Sequence, residues 1–133
     1  MSQENVEIVR RALESWNRGG DLGWVADLTA SEFEYVAAGV VGLSGSSRGP
    51  EGFMQFLEQF WEEFDEAHVE PQEFIEAGNS VLAVFTFRGR GRQSGVEVNM
   101  EGFHLWTFRD GKIIRGQGFL DREEALEAAG LSE

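Results

Sequence analysis

Residues 96–120 read VEVNMEGFHLWTFRDGKIIRGQGFL, and this stretch decides the fold. Asp110-Gly111 is a two-residue hairpin signal, because both residue types accept the positive φ that a type I′ turn requires. The flanking residues are rich in β-branched and aromatic side chains, so 96–109 and 112–120 are predicted to be paired antiparallel strands. Working back along the chain, Gly78-Asn79 is a second hairpin turn between strands at 69–77 and 80–88, and residues 90–95 are a longer third connection. Four long strands in series, with no helix between them, point to an antiparallel sheet rather than to βαβ units. Gly116 and Gly118 weaken the last strand, so they mark a bulge or leave room for a ligand or a neighbouring backbone.

In the first half of the chain the period changes from two to 3.6. Val6, Val9, Leu13 and Trp16 recur at spacings of three and four within residues 2–18, one stripe of an amphipathic helix with Ser2 as candidate N-cap. Gly19-Gly20 is expected to end that helix and Asp21 to cap a shorter one carrying Leu22, Val25 and Leu28, with Trp24 beside them. Residues 33–36 are a short strand candidate, and the Gly- and Ser-rich 37–49 has the composition of a loop, a possible lid at a pocket mouth. Pro50 opens a third helix over 50–64 whose Phe53, Phe56, Leu57, Phe60 and Phe64 share a face. Residues 121–129, closed by Gly130, form a short C-terminal helix. Helices followed by strands give an α+β layout in which the helices cover one face of the sheet.

Composition narrows the function classes. A length of 133 residues is that of one domain, 1–133, and 41% hydrophobic residues supply a core. A net charge of −13 repels phosphate backbones and anionic lipid, so nucleic acid and membrane are excluded as expected partners. Arg88, Arg90 and Arg92 read as a solvated hairpin end rather than a basic patch. There is no Cys, MSQENVEIVRR lacks the apolar core of a signal peptide, and no apolar run approaches the roughly 20 residues of a membrane span, which makes the cytoplasm the expected compartment. With only His68 and His104, and no HxH or HxxxH spacing, no metal site is expected. GRGRQSG opens no helix, so no dinucleotide cofactor is expected either, and no cofactor of any kind is assigned.

Three segments carry a resemblance that spans nearly the whole chain: ENVEIVRRALESWNRGGDL at the helical hairpin, FHLWTFRDGKIIR at the last strand pair and LDREEALEAAGL at the C-terminus. With the order helix, helix, strand, helix, four strands, the chain resembles SnoaL-like proteins of the nuclear transport factor 2-like superfamily, relatives of polyketide cyclases and ketosteroid isomerases. The resemblance implies a cystatin-like cone, a curved antiparallel sheet wrapped around helices with an apolar cavity inside. It also implies a homodimer through the sheet, which agrees with the expectation that an uncovered sheet face bearing Leu105, Ile113 and Phe119 would be an apolar patch.

The resemblance further locates the positions where ketosteroid isomerases carry their chemistry. The first-helix Tyr position falls at Ala12, the first-strand acid position at Tyr35 beside Glu34, and the late-strand acid position at His104. All three have changed type, and a phenol of ordinary pKa near 10 is a poor general base, so steroid-type isomerisation is not expected. His104 alternates with Met100, Gly102, Trp106 and Phe108 on a mostly apolar strand face. Its plain reading is a hydrogen-bonded core residue; its functional reading is a proton-transfer group, with Tyr35 as partner. Asp121 is the one acid near the end of the last strand able to resemble the cyclase acid, although the stronger reading of it is an N-cap of the C-terminal helix with Glu124 completing a box-like pattern. The candidate ligand wall is Trp16, Phe56, Phe60, Trp106, Gln117 and Phe119. The expected function is binding of a small, mostly apolar molecule, with acid–base chemistry of isomerase, cyclase or epoxide hydrolase type if the pocket reacts. The alternative is a non-catalytic binding or assembly domain with a filled core.

Overall fold

A computed structural model of the chain describes residues 2–18, 22–40 and 43–131. Its elements are α1 (Ser2–Arg18), α2 (Gly23–Leu28), β1 (Thr29–Val40), β2 (Leu43–Arg48), α3 (Gly49–Glu63), β3 (Phe64–Ala77), β4 (Ser80–Gly91), β5 (Glu97–Arg109), β6 (Lys112–Phe119) and α4 (Arg122–Ala128). The expected stop at Gly19-Gly20 and cap at Asp21 lie outside the described residues, as does the side chain of Ser2. The six strands form one curved sheet in the order β2-β1-β6-β5-β4-β3. All neighbours are antiparallel except β1 and β6, which run parallel, so β1 joins the sheet beside the last strand rather than the next one in sequence. The Asp110-Gly111 turn is as expected, with both φ values positive, at 53° and 79°.

The main core fills the concave side. Val9, Leu13 and Trp16 of α1 and Phe53, Leu57 and Phe60 of α3 pack on the inward residues Val81, Ala83, Phe85 and Phe87 of β4 and Trp106 and Phe108 of β5. Asn17 ties α1 to the free edge of β3: its Nδ2 donates to the Val69 carbonyl and its Oδ1 accepts from the Val69 amide, both at 2.7 Å. One side chain thereby imitates a rung of a strand and closes part of an edge that would otherwise be open for pairing.

Four expectations change. The first is the 37–49 loop, because residues up to Val40 continue β1 and Leu43–Arg48 is an edge strand paired with it, Tyr35 opposite Ser47. Its LSGSSR sequence has low strand propensity, and the pairing with β1 overrides it. Second, Phe64 begins β3 instead of ending α3, its backbone extended at φ −125°. Third, Arg92 is not merely solvated. It donates to the carbonyls of Trp61, Glu62 and Phe64 at the end of α3 and pairs with Asp65 at 3.1 Å, satisfying acceptors that a helix C-terminus leaves open.

The fourth concerns the outer sheet face. Leu105 is buried at 7% exposure and Ile113 at 0%, and Phe119 is half-buried. Ile113 belongs to the main core, while Leu82, Val84, Phe103 and Leu105 are covered by Ala125, Leu126 and Ala129 of α4 and its end. That helix is built to sit there. Asp121 Oδ2 accepts from the Glu124 amide at 3.0 Å at its start, and the Gly130 and Leu131 amides donate to the Glu127 and Leu126 carbonyls at its end, a Schellman closure. The apolar patch that motivated a dimer is therefore covered by the chain itself.

Candidate functional site

Alternation on β5 aims His104 into the concave side between Gly102 and Trp106, and the register sets it between Ala83 of β4 and Gly118 of β6. Tyr35 reaches the same place from β1, opposite Gly116. Its Oη and His104 Nε2 lie 3.1 Å apart, with Tyr35 at 4% and His104 at 5% exposure. Trp16 of α1 stacks on the imidazole at 5.2 Å and 21°, Phe85 lies against it at 4.6 Å, and Trp106 meets it edge-on at 5.1 Å. The imidazole is thus clamped by three aromatic rings and one hydrogen bond.

Gly116 explains how Trp106 and Tyr35 come so close to β6. A Cβ there would stand 2.4 Å from Trp106 Cζ3 and 3.1 Å from Tyr35 Cδ1, so the room it leaves is taken by these two rings. The closer of these distances is one that side chains essentially never show, which makes this strand position a packing requirement.

A cavity of about 70 Å³ adjoins the pair. Trp16, Phe56, Phe60 and Phe85 form its helical and β4 walls, and Met100, Gly118 and Phe119 its far side. Leu120, 44% exposed, is its solvent-facing member. None of its described lining residues is an Asp, Glu, Lys or Arg, so Tyr35 and His104 are the titratable groups of the wall.

Burial fixes the protonation of both. It pushes His104 down to about 3 and raises Tyr35 above its ordinary value, since the charged form of each would have to leave water. Near neutral pH an uncharged phenol therefore faces an uncharged imidazole. The phenol is much the stronger acid of the two, so we assign Tyr35 Oη as donor to Nε2, which puts the imidazole proton on Nδ1. Nδ1 is buried and has no hydrogen-bond partner, and neither has Nε1 of Trp16. Two N–H groups of residues that line the cavity are thus left with unused donor capacity, each a cost of about 1–3 kcal/mol until an acceptor reaches it.

The structure brings together Tyr35, His104, Trp16, Phe56, Phe60 and Phe119 around this cavity. It places the other three candidates elsewhere. Trp106 is fully buried behind His104 and does not line the cavity. Gln117 pairs with Leu105 and so faces the α4 side of the sheet. Asp121 caps α4 at an exposed position and is not among the cavity residues. Ala12 is fully buried in the core and offers only a methyl group. Met100, which alternation already sets on the His104 face, lines the cavity as well, and sequence reasoning missed Phe85, which carrying that alternation across to the neighbouring strand would have found. No group of His, Asp or Glu able to hold a metal ion occurs among the described residues.

Solved structures share this architecture. An NTF2-like protein from Burkholderia xenovorans LB400 superposes with a TM-score of 0.80 at 26% identity, over 97% of each chain. TerC, co-crystallised with polyporic acid, gives a TM-score of 0.77 at 25% identity over 96% of this chain and 98% of its own. A Catenulispora acidiphila DSM 44928 protein with a ketosteroid isomerase-like fold, in complex with trimethylamine, gives 0.76 at 19% identity over 94% and 93%, a likeness of fold alone. No curated protein matches the chain. Residues 9–116 match the family model of the SnoaL-like domain, and with most of its length so matched the chain belongs to the SnoaL-like domain family.

Proposed function

We propose that this chain binds a small, mostly apolar molecule through one hydrogen-bond-accepting group, a carbonyl or similar oxygen, held at the Tyr35–His104 pair. The observation that carries this reading is the neutral, unpartnered Nδ1 of His104 in an otherwise apolar wall. An apolar cavity supplies affinity by burial and a few polar groups supply orientation. The relatives bound to polyporic acid and to trimethylamine support small-molecule binding as the use of this fold.

Two features favour binding over acid–base catalysis. An imidazole held at about 3 is too weak a base to take a proton from carbon at neutral pH, and the described cavity wall supplies no carboxylate in its place. Size is a further guide. A cavity of about 70 Å³ is half the roughly 150 Å³ that encloses a benzene, so a larger ligand must extend beyond it. A homodimer through the sheet now rests on the family resemblance alone, and a cytoplasmic location on composition.

The test is a calorimetric and thermal-shift panel of cyclohexanone, 2-octanone, lactones and epoxides against wild type, His104→Ala and Tyr35→Phe. The expected result is ketone binding that weakens by roughly 1–3 kcal/mol in His104→Ala. Binding indifferent to both substitutions would refute the site, and turnover of any of these compounds that is lost in His104→Ala would refute the non-catalytic reading.

A further inference from the structure

The rim of the cavity and the outer face of the sheet meet in one short segment. Leu120 is the wall residue most open to solvent, 44% exposed, and Gly118 and Phe119 before it are half-buried, whereas Tyr35, Phe64, Phe85 and His104 deeper in the wall are buried. The chain leaves β6 at Phe119, bends at Leu120 and enters α4 at Arg122, with Asp121 between them as the cap. Phe103 and Phe119 line the cavity and also pack in the apolar cluster beneath α4. The same side chains thus serve as cavity wall and as the seat of a helix.

That helix is lightly held. Where α3 buries Phe53, Leu57 and Phe60, α4 buries Ala125, with Leu126 and Ala129 half-buried and the Arg122 guanidinium over the Phe103 ring at 6.0 Å. Hydrophobic stabilisation scales with apolar area removed from water, so a seat of small side chains is released at less cost than the α3 face. Size supplies the reason for release. The cavity of about 70 Å³ is too small for a ring or a longer chain, and the wall segment that yields most readily is the partly exposed 118–120, next to α4.

We propose that α4 is a latch on the cavity: a ligand larger than the empty space displaces Phe119 and Leu120 outward, and α4 leaves its seat on the outer face to allow it. This rests on the binding reading above and adds which wall moves and what restrains it. Docked α4 and bound ligand then compete, so the apparent affinity is the intrinsic affinity reduced by the small fraction of molecules with the latch released. The coupling is reciprocal: whatever loosens α4 tightens ligand binding, and the ligand in turn loosens α4.

The test uses 2-octanone with wild type, Asp121→Ala and Asp121→Asn, by calorimetry and by amide hydrogen exchange over residues 122–131. Asp121 Oδ2 caps α4 through the Glu124 amide at 3.0 Å, and Asn caps as well as Asp whereas Ala does not. Asp121→Ala is expected to bind 2-octanone about fivefold tighter than wild type, with Asp121→Asn close to wild type. In wild type, saturating ketone is expected to speed exchange across α4. If 2-octanone binds with dependence on His104 but Asp121→Ala brings no gain, or exchange across α4 is unchanged or slowed by the ketone, the latch is overturned and the cavity reading stands. If 2-octanone does not bind, or binds without dependence on His104 and Tyr35, both fall together.

Discussion

Acid should destabilise this fold through one residue. The His104 imidazole is held down to about 3 by burial, while in the unfolded chain it titrates near 6.5. Below 6.5 the unfolded state binds a proton that the folded state refuses, so stability falls with falling pH from about 6.5 until about 3, where the folded form also protonates. The slope in that window is about 1.36 kcal/mol per pH unit. Between pH 7 and pH 5 this amounts to about 2 kcal/mol, a large part of the stability of a domain this size. The carboxylates of an acidic chain also contribute to any pH profile, so the quantity to measure is a difference. Urea unfolding of wild type and His104→Gln at pH 7, 6 and 5 isolates the histidine, since Gln does not titrate. The wild-type profile is expected to fall about 2 kcal/mol further than that of the variant over this range. Parallel profiles would mean that His104 is hydrated or paired with an anion, and would refute the clamped neutral imidazole.

Three further substitutions, the first with an exposed control, probe the support of the site. Phe60→Ala, in the face of α3 that touches Trp16 at 5.6 Å and Phe87 at 5.6 Å, is expected to cost about 3–5 kcal/mol in chemical denaturation, and exposed Glu58→Ala under about 0.5 kcal/mol; equal losses would mean a different helical phase. Gly116→Ala pushes a methyl group into Trp106 and is expected to cost about 1–3 kcal/mol with a visible change in near-ultraviolet tryptophan dichroism; an unchanged spectrum would refute the close approach. Arg92→Ala frees the last carbonyls of α3 and is expected to lower stability by about 1–2 kcal/mol, detectable as faster amide exchange at the α3 terminus; an unaltered exchange pattern there would show that water replaces the guanidinium without cost.

What the sequence made legible follows from the strength of local signals. Strong periodic segments with chemical stops, such as the Asp110-Gly111 hairpin, the Phe-rich face of α3 and the Asp121-capped C-terminal helix, need no tertiary context to be read. The His104 face of β5 was legible for the same reason, because alternation alone fixes which neighbours share its side. Tyr35 was found only through resemblance, since its meeting with His104 joins residues far apart in sequence across a parallel β1–β6 pairing that no short-range pattern encodes. The Ser-rich β2 was misread because an edge strand of small polar residues takes its order from its partner. Gln117 and Trp106 were assigned to the ligand wall because chain position does not tell a wall residue from one behind it or on the other face; only register does.

The most direct test is long-range 1H–15N correlation spectroscopy of the imidazole nitrogens during titration with 2-octanone. A neutral ring protonated on Nδ1 at pH 7 is expected, with Nδ1 and its proton shifting in step with ketone binding and the tautomer preference weakening in Tyr35→Phe. Saturable ketone binding with the His104 signals unmoved, or a protonated ring at pH 7, would contradict it.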